Sequence, residues 1–189
     1  MQYNIRWLNY SEQHLIKELS LRIYANPKNS YPPNLDAKTS SIYSLFMVPP
    51  DTVGAETRKI AVVTDEFDQI VVATGVRELY RMPAWLLSWT LSSVSSVAFV
   101  KIWQDLVRFI CAYFEDRNIN EFYVINPAER EEAYRRMTKF MRERYWTFVE
   151  TTIPENQTTD YSLYNSFMGW ALYPYAINIR RYILKREIP

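Results

Sequence analysis

Two stretches of the chain carry the clearest patterns of hydrophobic and polar positions, and they follow one another directly. From Trp85 to Ser92 a period of two puts Trp85, Leu87, Trp89 and Leu91 on one face and Leu86, Ser88, Thr90 and Ser92 on the other, which predicts a strand with one apolar face and one mostly hydroxyl face. Beyond Ser92-Ser-Val-Ser-Ser96, where a hydroxyl can cap a helix, the spacing lengthens to three and four at Val97, Val100, Trp103, Val107, Ile110 and Phe114. Phe99, Ile102, Leu106 and Phe109 widen this apolar surface, so that Lys101, Gln104, Asp105, Arg108 and Glu115 mark only a narrow polar stripe. A helix of this kind packs under other elements, and Asp116-Arg-Asn118 supplies its polar stop.

The remaining patterns are weaker. Tyr3 to Leu8 alternates as a first strand, and Ser11 is expected to cap a helix carrying Leu15, Ile16, Leu19, Ile23 and Tyr24, with Asn26-Pro27 ending it. A loop over 26–40 and a short helix from Ser41 to Met47 follow. Lys59 to Thr64 and Gln69 to Tyr80 are two β-branched runs joined by Asp65-Glu-Phe-Asp68, a hairpin whose second arm places Ile70, Val72, Thr74, Val76 and Glu78 on one face. Gly75 within that arm fits a bulge or a close backbone approach. Glu121 to Ile125 is a short apolar strand, which makes strand, helix and strand a right-handed parallel crossover. Asn126-Pro127 is expected to open a second helix with its stripe at Ala133, Tyr134, Met137, Phe140, Met141 and Tyr145. Strands are expected at Trp146 to Ile153 and Ala176 to Leu184, separated by a long aromatic-rich loop over 154–175.

Composition narrows the chemistry. The 189 residues, 48% hydrophobic and 23% charged, suit a single domain over 1–189. A net charge of +1 offers no field to attract nucleic acid or an anionic membrane surface, and neither is expected as a partner. One Cys and one His exclude an intrachain disulfide and any metal site built on Cys and His clusters, so no metal is expected. His14 reads as an exposed residue at a helix start. The first ten residues hold Arg6 and polar side chains where a signal peptide would be apolar, and the expected location is cytoplasmic. With only three Gly in the chain, isolated at Gly54, Gly75 and Gly169, neither the P-loop nor the dinucleotide fingerprint is present. Fifteen Tyr and 16% aromatic residues supply many side chains suited to interfaces.

The order of these elements resembles the GNAT N-acetyltransferase superfamily over nearly the whole chain. The resemblance is carried by the strand Trp85 to Ser92 leading into the helix at Val97, and by Val124-Ile-Asn126-Pro-Ala128 followed by Tyr134 and Tyr145-Trp146-Thr-Phe148. It implies an α/β (α+β) fold: a central mixed, mostly antiparallel sheet with a parallel strand-helix-strand crossover and flanking helices. It also implies acyl-CoA, typically acetyl-CoA, lying along the first parallel strand, with Ser88, Thr90 and Ser92 beside it. Backbone N–H groups at Ser95, Ser96 and Val97 would meet the pyrophosphate, and Asn126 would stand on the second strand. Some phage-encoded proteins look like reduced members of the fold. The chain departs from the family in the phosphate loop, where Ser92-Ser-Val-Ser-Ser-Val-Ala98 contains no Gly and no basic residue before Lys101, and in Tyr145-Trp146, which stands where the family has Gly-Phe.

Two functions follow from the resemblance and the departures. In the first, an amine, either a small molecule or one on a protein, takes the acyl group from CoA, Tyr134 protonates the leaving thiolate and Glu78 acts as the base through water. In the second, the chain is a catalytically silent member of the fold, held in a homo-oligomer or by protein partners as an assembly subunit, for example in a phage particle, and is then virion-associated. The glycine-free loop and the aromatics between Tyr161 and Tyr175 motivate that alternative.

Overall fold

The computed structural model describes residues 2–25, 57–78, 85–127, 146–149 and 177–184, together with Glu132 and Lys139, which are both helical. The expected loop at 26–40, the short helix Ser41 to Met47, Tyr134 with most of its helix, and the aromatic loop over 154–175 lie outside the described residues.

Seven strands form one sheet in the order β1-β2-β3-β4-β5-β7-β6. They are β1 (Asn4–Trp7), β2 (Arg58–Thr64), β3 (Ile70–Glu78), β4 (Trp85–Ser92), β5 (Glu121–Pro127), β6 (Trp146–Val149) and β7 (Ile177–Leu184). Every pairing is antiparallel except β4 with β5, which are joined through a long helix. This is the mixed, mostly antiparallel sheet with one parallel crossover that the element order implies. Two helices lie against it among the fully described elements, α1 (His14–Ala25) and α2 (Ser96–Asp116). No helix among the described residues is long and apolar enough to cross a membrane.

Each face of the sheet has its own core. On one face Ile16, Leu19 and Ile23 of α1 pack on Ile60, Val62, Ile70, Ala73 and Leu91. On the other, Trp103, Leu106, Val107, Ile110 and Phe114 of α2 cover Ala61, Val63, Val72, Val76, Trp85 and Leu87, and Phe122 stacks on Tyr182 with ring centres 4.9 Å apart. Burying each of these large side chains contributes about 1.5–3 kcal/mol, so α2 anchors the sheet.

The turns follow from local chemistry. In the β2–β3 hairpin the Asp65 carboxylate accepts the N–H groups of Phe67 and Gln69, while Asp68 takes the left-handed region at φ 58°. α2 ends in a Schellman motif: Asn118 is left-handed, its N–H donates to Glu115, and the N–H of Ile119 reaches back to Phe114. At its other end Ser95 is the N-cap.

Several expectations are corrected. α1 is not capped by Ser11. A short 3₁₀ turn from Tyr10 to Glu12 precedes it, held by a capping box between Asn9 and Glu12, because the Glu12 side chain reaches back to the Asn9 N–H at 2.9 Å. Asn126-Pro127 does not start a helix but finishes β5, paired with Asn178 and Ile177 of β7. Only one neighbouring strand flanks β5 there, a setting in which Pro is tolerated. The faces of β3 and β4 also differ from simple alternation. Thr64 pairs with Ile70 and Val63 with Val72, so Val71 is an extra residue and Ile70 is turned under α1.

Candidate functional site

β4 keeps β3 as its partner from Trp85 to Ser92, but its parallel pairing with β5 covers only Trp85, Leu86 and Leu87, against Phe122, Tyr123 and Val124. Beyond this point β5 stays with β7 as far as Pro127. The two parallel strands therefore part after Leu87, and the β5-facing edge of β4 from Ser88 to Ser92 has no strand beside it.

A second irregularity falls at the same place. Gly75 of β3 pairs with Trp89 and Val76 pairs with Leu87, which leaves Ser88 as a bulge with no partner in β3. A bulge re-aims the residues after it. Trp85 and Leu87 pack under α2 as expected, but Leu91 lies under α1, while Thr90 falls opposite Thr74 with their hydroxyls 2.8 Å apart. The four apolar residues assigned to one face are thus divided by Ser88. Gly75 sits at the register shift, in keeping with the bulge or close approach read from the sequence.

The open edge leads directly to the start of α2. Ser93 fastens the end of β4, its N–H donating to the Val71 carbonyl at 2.9 Å and its hydroxyl to the same oxygen at 3.2 Å. The exposed Ser95 hydroxyl accepts the Ala98 N–H at 3.5 Å. The first-turn N–H groups of a helix have no acceptor within it, and the aligned peptide dipoles make that end positive. Ser96 and Val97 contribute two such groups. The Val97 side chain is 85% exposed, so it stands clear of the sheet and does not join the apolar stripe with Trp103; Val100 is exposed as well. The Ser92 Oγ is buried with no hydrogen-bond partner among the described residues.

Ser88, Thr90, Ser92, Ser95, Ser96 and Val97 thus form one continuous path from the bulge to the helix start. Asn126 is on the other side of the opening, two residues past the last β4–β5 pair. Glu78 is exposed and opposite Trp85, about 10 Å along β4 from Ser88. Tyr134 lies outside the described residues.

The closed end of the opening is held by charge. Arg181 of β7 donates to both oxygens of Glu121 at 2.8 Å, and the Tyr123 hydroxyl adds a bond at 2.6 Å. Burial pushes the Glu121 carboxyl upward, but the bonds from Arg181 and Tyr123 outweigh it and leave it below its ordinary value. β5 is thereby tied to β7 just where it begins to leave β4. Other ionisable groups serve the frame. The Tyr3 hydroxyl donates to Asp105, and that bond, with burial behind it, pushes its pKa up to about 12. Burial raises the Cys111 thiol well above its usual value, which suits a packed side chain and not a nucleophile. His14 is exposed at the start of α1, a ring nitrogen 3.1 Å from the Ser11 carbonyl. No cluster of metal-ligating side chains occurs among the described residues.

The sequence reading named the residues of the path but missed Ser93 and the role of Ser88. A further pair, Arg58 and Arg77, stands directly opposite across β2 and β3. Counting outward from the hairpin turn would have found it only if the Val71 bulge had been known.

No protein-family model and no curated protein sequence matches the chain. Solved structures do. A GNAT-family acetyltransferase from Staphylococcus aureus is 13% identical, with 97% of this chain and 100% of that chain covered and a TM-score of 0.61. The alanine N-acetyltransferase of a ribosomal protein from Escherichia coli is 12% identical, covering 99% and 97% with a TM-score of 0.62. A spermidine N-acetyltransferase chimera that includes the Vibrio cholerae protein is 15% identical, covering 97% and 96% at 0.58. The chain has the GNAT fold.

Proposed function

We propose that the chain is an N-acyltransferase that moves an acyl group, acetyl in the simplest case, from CoA to an amine. The observation that carries this is the coincidence of three features on one strand: the parting of β4 from β5 after Leu87, the bulge at Ser88, and the uninterrupted run into the N-terminus of α2. The similar solved structures support it through their names, since all three are acetyltransferases, and the acceptors named, spermidine and a protein alanine, are both amines.

The residues present fit an acyl-CoA. An extended chain bearing amides can pair with the free edge of β4 from Ser88 to Ser92 as an added strand would. The buried Ser92 hydroxyl needs a partner. The first-turn N–H groups of Ser96 and Val97 suit a pyrophosphate in geometry and sign. The absence of Gly from this turn matters less than the sequence implies, because Val97 projects into solvent. Bound there, acyl-CoA supplies a carbonyl activated as a thioester, whose C–S bond breaks as the C–N bond of the product amide forms. The bulge leaves Ser88 backbone groups free of β3, and an N–H there can polarise that carbonyl. Tyr134 is assigned the proton given to the departing sulfur, and Glu78 the proton lost by the amine, relayed through water over the distance that separates it from Ser88.

Release of free thiol on mixing the protein, acetyl-CoA and a panel of amines tests the function. Steady turnover with at least one amine supports it; no turnover and no calorimetric acyl-CoA binding overturns it. The alternative of a silent assembly subunit gains no support from any feature of the described residues.

A further inference from the structure

β2 and β3 run in register from Arg58 opposite Arg77 to Val63 opposite Val72. Residues opposite one another in an antiparallel pair share a face, with Cα atoms about 4.5–5.5 Å apart. For the two arginines that face is the one under α1, because Ile60, Val62 and Ala73 of the same alternation pack there. Both are half-buried, and burial followed by the charge of Arg58 lowers the Arg77 pKa. Like charges placed opposite each other weaken a sheet. A rung with two guanidinium groups is therefore a costly choice on stability alone.

Its position relative to the cleft gives it a use. Two residues along from Arg77, Gly75 pairs with Ile60 on one side and with Trp89, next to the Ser88 bulge, on the other. Gly75 places no side chain over the sheet, so the α1 face is lowest beside the bulge. The arginine rung begins about 7 Å away, within the length of an arginine side chain. It lies toward the Trp85 end of β4, opposite to the end that runs into α2.

We propose that Arg58 and Arg77 recognise the acceptor, holding an oxyanion of an anionic amine so that its amino group lies over Gly75 at the Ser88 bulge. The substrate class is then an amine that also carries a carboxylate or a phosphate. Guanidinium groups bind both through paired N–H···O bonds. This rests on the acyltransferase reading and names the acceptor for the same site.

The test is a thiol-release assay with acetyl-CoA and three sets of amines: amino carboxylates and amino phosphates, neutral arylalkylamines, and polycations such as spermidine. The expected result is the highest kcat/KM within the anionic set, with carboxylate and phosphate members showing which oxyanion is preferred. Arg77→Gln is expected to raise KM for the best anionic amine at least tenfold, leaving KM for acetyl-CoA within about twofold, and Arg77→Lys to recover part of the loss. Preference for polycations or neutral amines in the unaltered protein overturns this proposal while the acyltransferase reading stands. Absence of both acetyl-CoA binding and turnover overturns the two together. The amine panel decides the matter even if a variant fails to fold.

Discussion

Ser88 has no partner on β3, and past it the side chains of β4 lie on the faces opposite to those that simple alternation assigns. The period of two is a rule about one strand, whereas a bulge is set by how two strands fit, so the sequence of β4 alone cannot show it. Gly75 was the one visible sign. Val71 repeats the lesson in β3, where an extra β-branched residue in a β-branched run leaves no trace in the pattern. Ser92 is where residue-scale chemistry can be tested. Its hydroxyl is buried without a partner among the described residues, a state that costs about 1–3 kcal/mol. Ser92→Ala is expected to leave stability unchanged or raise it by up to about 1 kcal/mol in urea unfolding, while weakening acetyl-CoA binding severalfold. A loss of stability with no change in affinity would assign the hydroxyl to the fold.

At the scale of elements, α2 was the most legible part of the chain. Its apolar spacing, serine cap and Asp116 to Asn118 stop are all found, because long helices are governed by local rules. Only its first turn differs, since Val97 and Val100 extend past the sheet that would bury them. Trp103, 1% exposed, is central to its packing; Trp103→Ala is expected to cost about 3–5 kcal/mol, measured by chemical unfolding. The tie between β5 and β7 was not legible, because Glu121 and Arg181 are sixty residues apart in sequence. It predicts a pH dependence. The folded Glu121 carboxyl holds its proton less tightly than the unfolded one, so the unfolded chain binds more protons between the two values, and stability rises with pH across that window. The contribution is fully present above the unfolded glutamate value of about 4.3 and is lost as pH falls through the lower folded value. Both partners are partly solvated, with side chains 37% and 21% exposed, so the effect is a modest one. In Glu121→Gln this part of the pH dependence is expected to vanish; an unchanged stability profile below pH 5 would show that the tie contributes nothing.

At the scale of the whole molecule, the strand, helix and strand order was enough to give the fold, and the open cleft follows from how that order is paired. β4 cannot hold both β3 and β5 along its full length once β5 is committed to β7. The parting places an unpaired strand edge and a helix N-terminus in line, an arrangement suited to an extended ligand with an anionic end. Much of the proposed catalytic machinery depends on Tyr134, and Tyr134→Phe is expected to lower kcat at least tenfold; full turnover in that variant would remove Tyr134 from the mechanism. The cleft itself is tested most directly by calorimetric titration of the protein with acetyl-CoA, beside a variant with Ser95→Asp and Ser96→Asp. Micromolar binding that the two added carboxylates abolish is the predicted result, since they place negative charge where the pyrophosphate would sit. No heat with acetyl-CoA or with longer acyl-CoAs, or equal binding by both proteins, would contradict it.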